Sequence, residues 1–119
     1  MTPEVKVLHS ADIEDVPKWT PEGDDVCFWL ELSIGLPASD RADIFQVCVA
    51  TPGGLKSALG RSIKPRGSAH ARPIVLQQYS WPALEGAIRS RLEACAGRDW
   101  LEVQEKLRRQ FVWEYEGYK

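Results

Sequence analysis

Alternating hydrophobic and polar positions predict three β-strands in the first half of the chain. The strongest pattern covers residues 26–35, VCFWLELSIG, and similar patterns cover residues 43–50 and 4–9. The predicted inward faces of the first two segments carry Phe28, Leu30, Leu32, Ile34, Phe45, Val47 and Val49. In the third segment the same rule groups Val5, Val7 and His9 on one side. The opposite face of the strongest strand carries Cys27, Trp29, Glu31 and Ser33. A period of two with one wet face predicts an antiparallel sheet covered on one side.

Hydrophobic positions at intervals of three and four predict two helices near the C-terminus. The first follows the capping residue Ser80 and ends at Gly97, and the second follows Asp99. Their apolar stripes consist of Trp81, Leu84, Ile88, Leu92 and Cys95, and of Trp100, Val103, Leu107 and Phe111. Earlier in the chain, residues 51–60 carry the start and stop signals of a short helix, and residues 73–79 have the character of a fourth strand.

Strands that precede the helices are typical of an α+β fold, in contrast with the alternating order of a parallel α/β sheet. We therefore expect an antiparallel meander of about four strands. Two C-terminal helices should pack on one face of it, and a short helix should follow the third strand. At 119 residues, the chain is long enough for one modest core, so we expect a single domain over residues 1–119.

Composition and charge limit the class of protein. The chain is 44% hydrophobic, and no apolar run approaches the roughly 20 residues of a membrane-spanning helix. Its first residues, MTPEVKVLHSADIED, lack the basic start and apolar stretch of a secretory signal. We therefore expect a cytoplasmic protein, the alternative being one translocated by a route that the sequence does not show. Residues 1–50 carry ten acids and three bases, whereas residues 51–80 carry five bases and no acid. Such blocks influence attraction to partners rather than the fold.

The residue types that most often carry catalysis lack a supporting pattern. The only histidines are His9 and His70, and neither belongs to a recognisable nucleophile motif. The acidic segments 12–15 and 24–25 lack the glycine and terminal glutamate of a calcium-binding loop. The Gly53-Gly54 pair does not fit a phosphate-binding loop. We therefore expect no catalytic residue, no metal and no cofactor.

The three cysteines are odd in number and far apart in the chain. They are Cys27, Cys48 and Cys95. The absence of a C-x-x-C pair argues against a zinc site, and the odd count argues against a disulfide framework. Since cysteine is among the residues most often found inside proteins, we expect three buried, reduced thiols.

The sequence leaves two alternative functions open, which are nucleic-acid binding and the binding or conversion of a small ligand. The stretch 56–72 is basic and suggests a nucleic-acid-binding module; its cations are Lys56, Arg61, Lys64, Arg66 and Arg72. It contains no aromatic residue for base stacking and the whole chain is acidic, so a solvated loop is favoured and nucleic acid is an unlikely partner. The other alternative is a small ligand-binding or enzymatic domain around His9 and the acidic loop that follows it, which would need a deep pocket near His9.

Exposed aromatic and acidic residues favour recognition of a basic protein surface, because aromatic rings anchor interfaces and acids steer association. The C-terminal segment FVWEYEGYK is expected to be a final strand or clasp whose rings pin it to the domain while its acids face outward. The candidate partner-binding residues are Asp12, Glu14, Asp15, Asp24, Asp25, Trp29, Glu31, Glu114 and Glu116.

An ordered set of short motifs runs along nearly the whole chain. It consists of His9-Ser10, Trp19, Phe28-Trp29-Leu30 leading to Ile34-Gly35, Asp43, Phe45, Val47 and Val49 before Thr51-Pro52, Tyr79, Trp81, Trp100, and Trp113-Glu114-Tyr115-Glu116 with Tyr118. In this order the motifs resemble the immunity protein 8 family of bacterial polymorphic toxin systems. The closing W-E-Y-E-x-Y is the most specific element, and residues 53–72 add nothing to the resemblance.

The resemblance implies a non-catalytic inhibitor that is encoded beside a toxin and kept in the cytosol. Such a protein binds the C-terminal effector domain of the toxin and blocks it, either by covering the active site or by fixing an inactive shape. Many of these toxins have basic substrate-binding surfaces, which suits the acidic first half of this chain. The family does not share one toxin activity, so the resemblance implies no particular target chemistry and no oligomeric state.

Overall fold

The computed structural model describes residues 1–60 and 72–115, without the side chains of 58–60. Its elements in chain order are β1 (Glu4–His9), a 3-10 helix (Val16–Lys18), β2 (Cys27–Gly35), β3 (Asp43–Ala50), α1 (Pro52–Gly60), β4 (Ile74–Val75), α2 (Trp81–Ala94), α3 (Trp100–Gln110) and β5 (Val112–Trp113). The sheet has the order β1-β2-β3-β4, and β5 also pairs with β3. The predicted α+β class is confirmed, with two C-terminal helices and a short helix after the third strand.

The first three strands form the antiparallel meander, and the fourth is added differently. β1 pairs with β2 and β2 with β3, both antiparallel. β4 pairs parallel to β3, with Val49 opposite Ile74, and it is shorter than the predicted segment 73–79. A parallel neighbour requires a crossover, because the chain must return to the end of the sheet from which the preceding strand started. The segment between β3 and β4, which begins with α1, makes that connection.

β1 contains an irregularity that changes which side chains face inward. Val5 lies opposite Ile34, but Val7 lies opposite Ser33, so one extra residue intervenes on β1. An extra residue shifts the alternation by one position and turns the following side chains to the other face. Val5 and Leu8 therefore pack against the core, whereas Val7 is 59% exposed. The grouping of Val5, Val7 and His9 on one inward face was wrong.

The core lies between one face of the sheet and the two C-terminal helices. All seven inward strand residues predicted from the alternation are at most 4% exposed. The buried helix residues are Leu84, Ile88, Leu92, Val103 and Leu107. Each helix begins at its predicted cap: the Ser80 side chain accepts a hydrogen bond from the Ala83 amide, and Asp99 accepts one from the Glu102 amide. These caps satisfy donors that a helix start otherwise leaves without partners.

The described part of the C-terminal segment is held to the sheet. Phe111 is fully buried, Trp113 lies opposite Phe45, and the Glu114 amide donates to the Ile44 carbonyl at 2.9 Å. Trp113 lies 4.6 Å from the Arg108 guanidinium, measured to the ring centroid. The segment is thus a final strand as far as Trp113, which agrees with the expected clasp. Glu116 and Tyr118 lie outside the described residues.

Candidate functional site

The sheet face opposite the helices carries the outward residues of β2 and β3. Along β2, buried positions alternate with half-buried ones, and the half-buried set consists of Cys27, Trp29, Glu31 and Ser33. On β3 the corresponding half-buried residues are Ile44, Gln46 and Cys48. We call these seven residues the open face. Trp29 was predicted to point away from the core, and the structure places it there, directly opposite Cys48.

Trp29 forms part of a small pocket on the open face, next to His9 at the end of β1. The other lining residues are His9, Ala11, Asp12, Leu30, Glu31 and Gln46. Within it, the His9 Nδ1 atom lies 3.2 Å from a Glu31 carboxylate oxygen. The pocket holds about 130 Å³, far less than the roughly 300–1,000 Å³ typical of small-molecule sites. The deep cavity that an enzymatic or ligand-binding role for His9 would need is therefore not found at this position.

Asp12 connects the loop that carries the acidic segment 12–15 to β2 through its hydrogen bonds. Its carboxylate accepts from the Trp29 amide at 3.2 Å, and its own amide donates to the Ser10 hydroxyl at 3.0 Å. The Ser10 hydroxyl in turn donates to the Trp29 carbonyl at 2.7 Å. Ile13 and Val16 are buried and anchor the same loop in the core. Asp12, predicted as a partner-binding residue, therefore also positions the backbone of Trp29.

A second acidic segment is anchored by one buried hydroxyl group. The Thr51 hydroxyl donates to the Asp24 carbonyl at 2.8 Å and accepts from the Val26 amide at 2.9 Å. It also accepts from the Gly54 amide at 3.2 Å, and Thr51 is only 3% exposed. These bonds fix the backbone on which the exposed Asp24 and Asp25 side chains stand.

Replacement of Thr51 with valine should lower the free energy of unfolding by about 1–3 kcal/mol, because the buried Val26 amide would lose its acceptor. Urea-induced unfolding followed by circular dichroism measures this loss. Thr51→Ser is the matched control: it keeps the hydroxyl, removes one methyl group and should cost less. If Thr51→Val lost no more stability than Thr51→Ser, the hydroxyl network would contribute no more than the methyl group, and the prediction would be contradicted.

The two acidic segments meet around one cleft of about 630 Å³. Its lining includes Asp12 from the first segment, and Glu22 and Asp25 from the loop that contains the second segment. Trp19 and Phe28 also line the cleft, with ring centroids 5.5 Å apart in an edge-to-face arrangement. Glu22 was not among the predicted residues, although its position in an acidic stretch was a usable signal.

Tyr79 completes the aromatic group beside the cleft. Its ring centroid lies 5.1 Å from that of Trp19 and 6.0 Å from that of Phe28. Burial raises the pKa of its hydroxyl group. Tyr79, Asp24 and the segment 20–23 line a neighbouring depression of about 560 Å³. Rigid rings thus support the loop that carries Glu22, Asp24 and Asp25.

The remaining predicted residues fall into two places. Glu14 and Asp15 are exposed on the same loop as Asp12. Glu114 is exposed beside Ile44, near the opposite end of β3 from Cys48. The structure therefore places Asp12 and Glu31 in the pocket of Trp29, places Asp25 in the cleft that Asp12 also lines, and places Glu114 apart. Glu116, and the basic stretch from 61 to 71, lie outside the described residues.

The cysteines differ from the expectation of three buried thiols. Cys95 is 1% exposed, but Cys27 and Cys48 are half-buried on the open face. Their sulfur atoms lie 3.6 Å apart, because β2 and β3 are neighbours in the sheet. Burial, followed by the neighbouring Cys27, raises the pKa of Cys48 to about 12. The residues are distant in sequence, and only the strand register brings them together.

Residues 1–60 and 72–115 contain neither a cluster of metal-ligating side chains nor a helix that could span a membrane. No group of three or more His, Cys, Asp or Glu side chains in these ranges is arranged to hold a metal ion. None of the helices in the same ranges is long and apolar enough to cross a membrane.

The model of the family described as Immunity protein 8 matches residues 3–118 of the chain. The chain belongs to the immunity protein 8 family. The match includes the acidic loops, the open face and the C-terminal segment, and it confirms the resemblance drawn from the ordered motifs. The searches of curated proteins and of solved structures each returned no match. Membership of the immunity protein 8 family implies a toxin protein as the partner, and immunity proteins are generally not enzymes.

Proposed function

We propose that this immunity protein 8 family member binds and neutralises a cognate bacterial polymorphic toxin domain in the cytoplasm, without catalysing a reaction. The observation that carries the proposal is the convergence of two acidic loops beside Trp29. We define the acidic surface by the residues that lie there, which are Asp12, Glu14, Asp15, Glu22, Asp24, Asp25, Trp29 and Glu31. Of the other predicted residues, Glu114 would meet only a partner that also reaches the far end of β3.

Charge supports a basic partner for this surface. Residues 10–31 carry seven acids and a single base, Lys18, and six of the seven acids are exposed. The seventh, Glu31, is half-buried beside His9. A concentration of one sign of charge accelerates the encounter with an oppositely charged protein, and the acceleration weakens as salt increases. A toxin with a cationic substrate-binding surface is the partner that fits such a field.

Fixed geometry supports the use of Trp29 as an anchor. Its amide and its carbonyl are both hydrogen-bonded to the loop that begins at Ser10, so one loop holds the backbone beneath the ring at two points. Aromatic side chains that are ordered before binding lose little conformational freedom in a complex and often dominate interface energy. The exposed acids then act mainly on the association rate, and the aromatic anchor acts mainly on dissociation.

The test uses the toxin domain encoded beside the gene, produced separately and mixed with the purified protein. We expect a stable complex, and we expect co-expression of the protein to protect a sensitive bacterium from that domain. Glu14→Lys/Asp15→Lys should slow association by about ten-fold at low salt, with a smaller difference at high salt. Stopped-flow fluorescence measures the rates.

The control variant is Asp40→Lys/Glu93→Lys, which makes the same change in net charge at two exposed positions outside the acidic surface. It should retain an association rate close to that of the unaltered protein. A complex whose rate is insensitive to salt and to both double variants would contradict the acidic surface while leaving the immunity function intact. Absence of both complex formation and protection would contradict the function itself.

A further inference from the structure

Two thiol groups stand side by side on the open face. Cys27 lies opposite Ala50 in the register and Cys48 lies opposite Trp29, so the two cysteines are diagonal neighbours on adjacent antiparallel strands. Their Sγ atoms are 3.6 Å apart, within contact distance and farther than the roughly 2.05 Å of a disulfide bond. Both residues are half-buried, which leaves part of the pair open to a small reagent.

The third cysteine provides an internal comparison. Cys95 follows α2 and is 1% exposed within the core cluster. Burial raises the pKa of its thiol group. A reagent that reaches the open face would therefore meet Cys27 and Cys48 well before Cys95, because thiol reactivity requires both access and ionisation.

We propose that Cys27 and Cys48 form a dithiol site that a small-molecule disulfide oxidises to an intramolecular disulfide bond joining β2 and β3. The site takes reagents of the glutathione disulfide class, whose accessible sulfur atoms are attacked by a protein thiolate. Because Cys48 lies directly opposite Trp29, the new bond would lie beside the acidic surface. The proposal does not depend on toxin binding.

The reaction proceeds in two exchanges. Cys27 loses its proton, and its thiolate attacks one sulfur of the small disulfide; a mixed disulfide forms and one small thiolate leaves. Cys48 then loses its proton and attacks the Cys27 sulfur, which forms the intramolecular bond and releases the second small thiolate. The two protons from the protein thiols end on the two released small thiols. The protein is oxidised by two electrons, and the small disulfide is reduced by two.

The geometry of the pair favours the second exchange. Burial, followed by the neighbouring Cys27, raises the pKa of Cys48 to about 12, so little Cys48 thiolate is present near neutral pH. Once Cys27 carries the mixed disulfide, the Cys48 sulfur is held next to the sulfur that it must attack. Proximity of this kind converts an encounter between two molecules into a step within one molecule and offsets a low fraction of thiolate.

The test incubates the folded full-length protein with oxidised glutathione, quenches with acid, denatures the protein and alkylates the remaining thiols. Peptide mapping should find Cys27 linked to Cys48 and Cys95 alkylated. In Cys27→Ser and Cys48→Ser the linked peptide should disappear, whereas Cys95→Ala should retain it. A reducing agent should restore alkylation of Cys27 and Cys48.

Three outcomes would overturn the proposal. In the first, all three cysteines remain open to alkylation after prolonged incubation. In the second, glutathione stays attached to Cys27 or Cys48 and no linked peptide appears. In the third, disulfides between Cys95 and Cys27 or Cys48 form as often as the disulfide between Cys27 and Cys48. Random exchange in an unfolded chain would produce that result. A parallel incubation in urea supplies the pattern expected for random exchange.

Discussion

Replacement of Gly54 with alanine should destabilise the protein by about 3 kcal/mol or more, the upper range for overpacking. A β-carbon at this position would overlap the backbone carbonyl of Val26 and lie 2.5 Å from its amide nitrogen. That backbone cannot withdraw easily, because Val26 exchanges hydrogen bonds of 2.9 Å with both the amide and the hydroxyl of Thr51. Relief of the overlap would break bonds that hold α1 and the acidic segment to the sheet. Urea-induced unfolding measures the loss.

Gly86→Ala is the matched control. Gly86 lies within α2, and apart from its chain neighbours and the backbone of its own helix no atom lies within 4 Å of the position that its β-carbon would occupy. The same methyl group should therefore stabilise the protein by about 0.5–1 kcal/mol, because glycine is less favourable than alanine inside a helix. If Gly54→Ala unfolded at the same urea concentration as the unaltered protein, the close approach of Gly54 to Val26 would be refuted.

The contrast between these two glycines marks a limit of sequence reasoning. The pair at 53–54 was recognised as the start of a short helix, and α1 does begin at Pro52. The sequence did not show that position 54 must lack a side chain. That requirement comes from the close backbone of Val26, which is distant in the sequence. Start and stop signals are local, whereas close approach of two backbones depends on tertiary structure.

The strands show the same division. Alternation was sufficient to identify seven inward apolar residues of β2 and β3, because a regular strand has a strict period of two. In β1 it failed after Val5, where one extra residue shifted the pattern and exposed Val7. The length and direction of β4 were also not predictable, since they depend on where the chain returns after α1.

For the candidate site, the sequence was sufficient to identify the acids but not their arrangement. Exposure of Glu14 and Asp15 follows from an acidic, irregular segment, whereas the bond from the Trp29 amide to Asp12 depends on how that segment folds back on β2. The separation of Glu114 from the other acids likewise follows from the position of β5 beside β3. The contact between Cys27 and Cys48 required the register of two strands.

Replacement of Phe111 with alanine should cost about 3–5 kcal/mol, the usual range for removal of a buried phenylalanine. Phe111 is fully buried, and its ring centroid lies 6.3 Å from that of Phe45 in an edge-to-face arrangement. It also ends α3, where its amide donates to the Leu107 carbonyl at 2.8 Å, and it leads directly into β5. The substitution therefore removes a core contact at the junction of helix, sheet and C-terminal segment.

Arg91 adds to the expected loss. Its guanidinium group lies 5.6 Å from the centre of the Phe111 ring and donates hydrogen bonds to the Gln110 and Pro73 carbonyls at 2.6 and 2.9 Å. Burial lowers the pKa of this guanidinium group, which stays protonated, and the two carbonyls replace part of the hydration that the charge has lost. Without the ring, water would reach bonds that join α2 to the end of α3 and to the segment before β4.

Leu101→Ala is the control on the same helix. Leu101 is 74% exposed, so its truncation should change the free energy of unfolding by less than about 0.5 kcal/mol. Thermal and urea unfolding of both variants measure the difference, and limited proteolysis should cut the Phe111→Ala protein faster near β5. If the two truncations cost the same, Phe111 would not be the residue that joins the C-terminal segment to the core, and the clasp would have to depend on β5 alone.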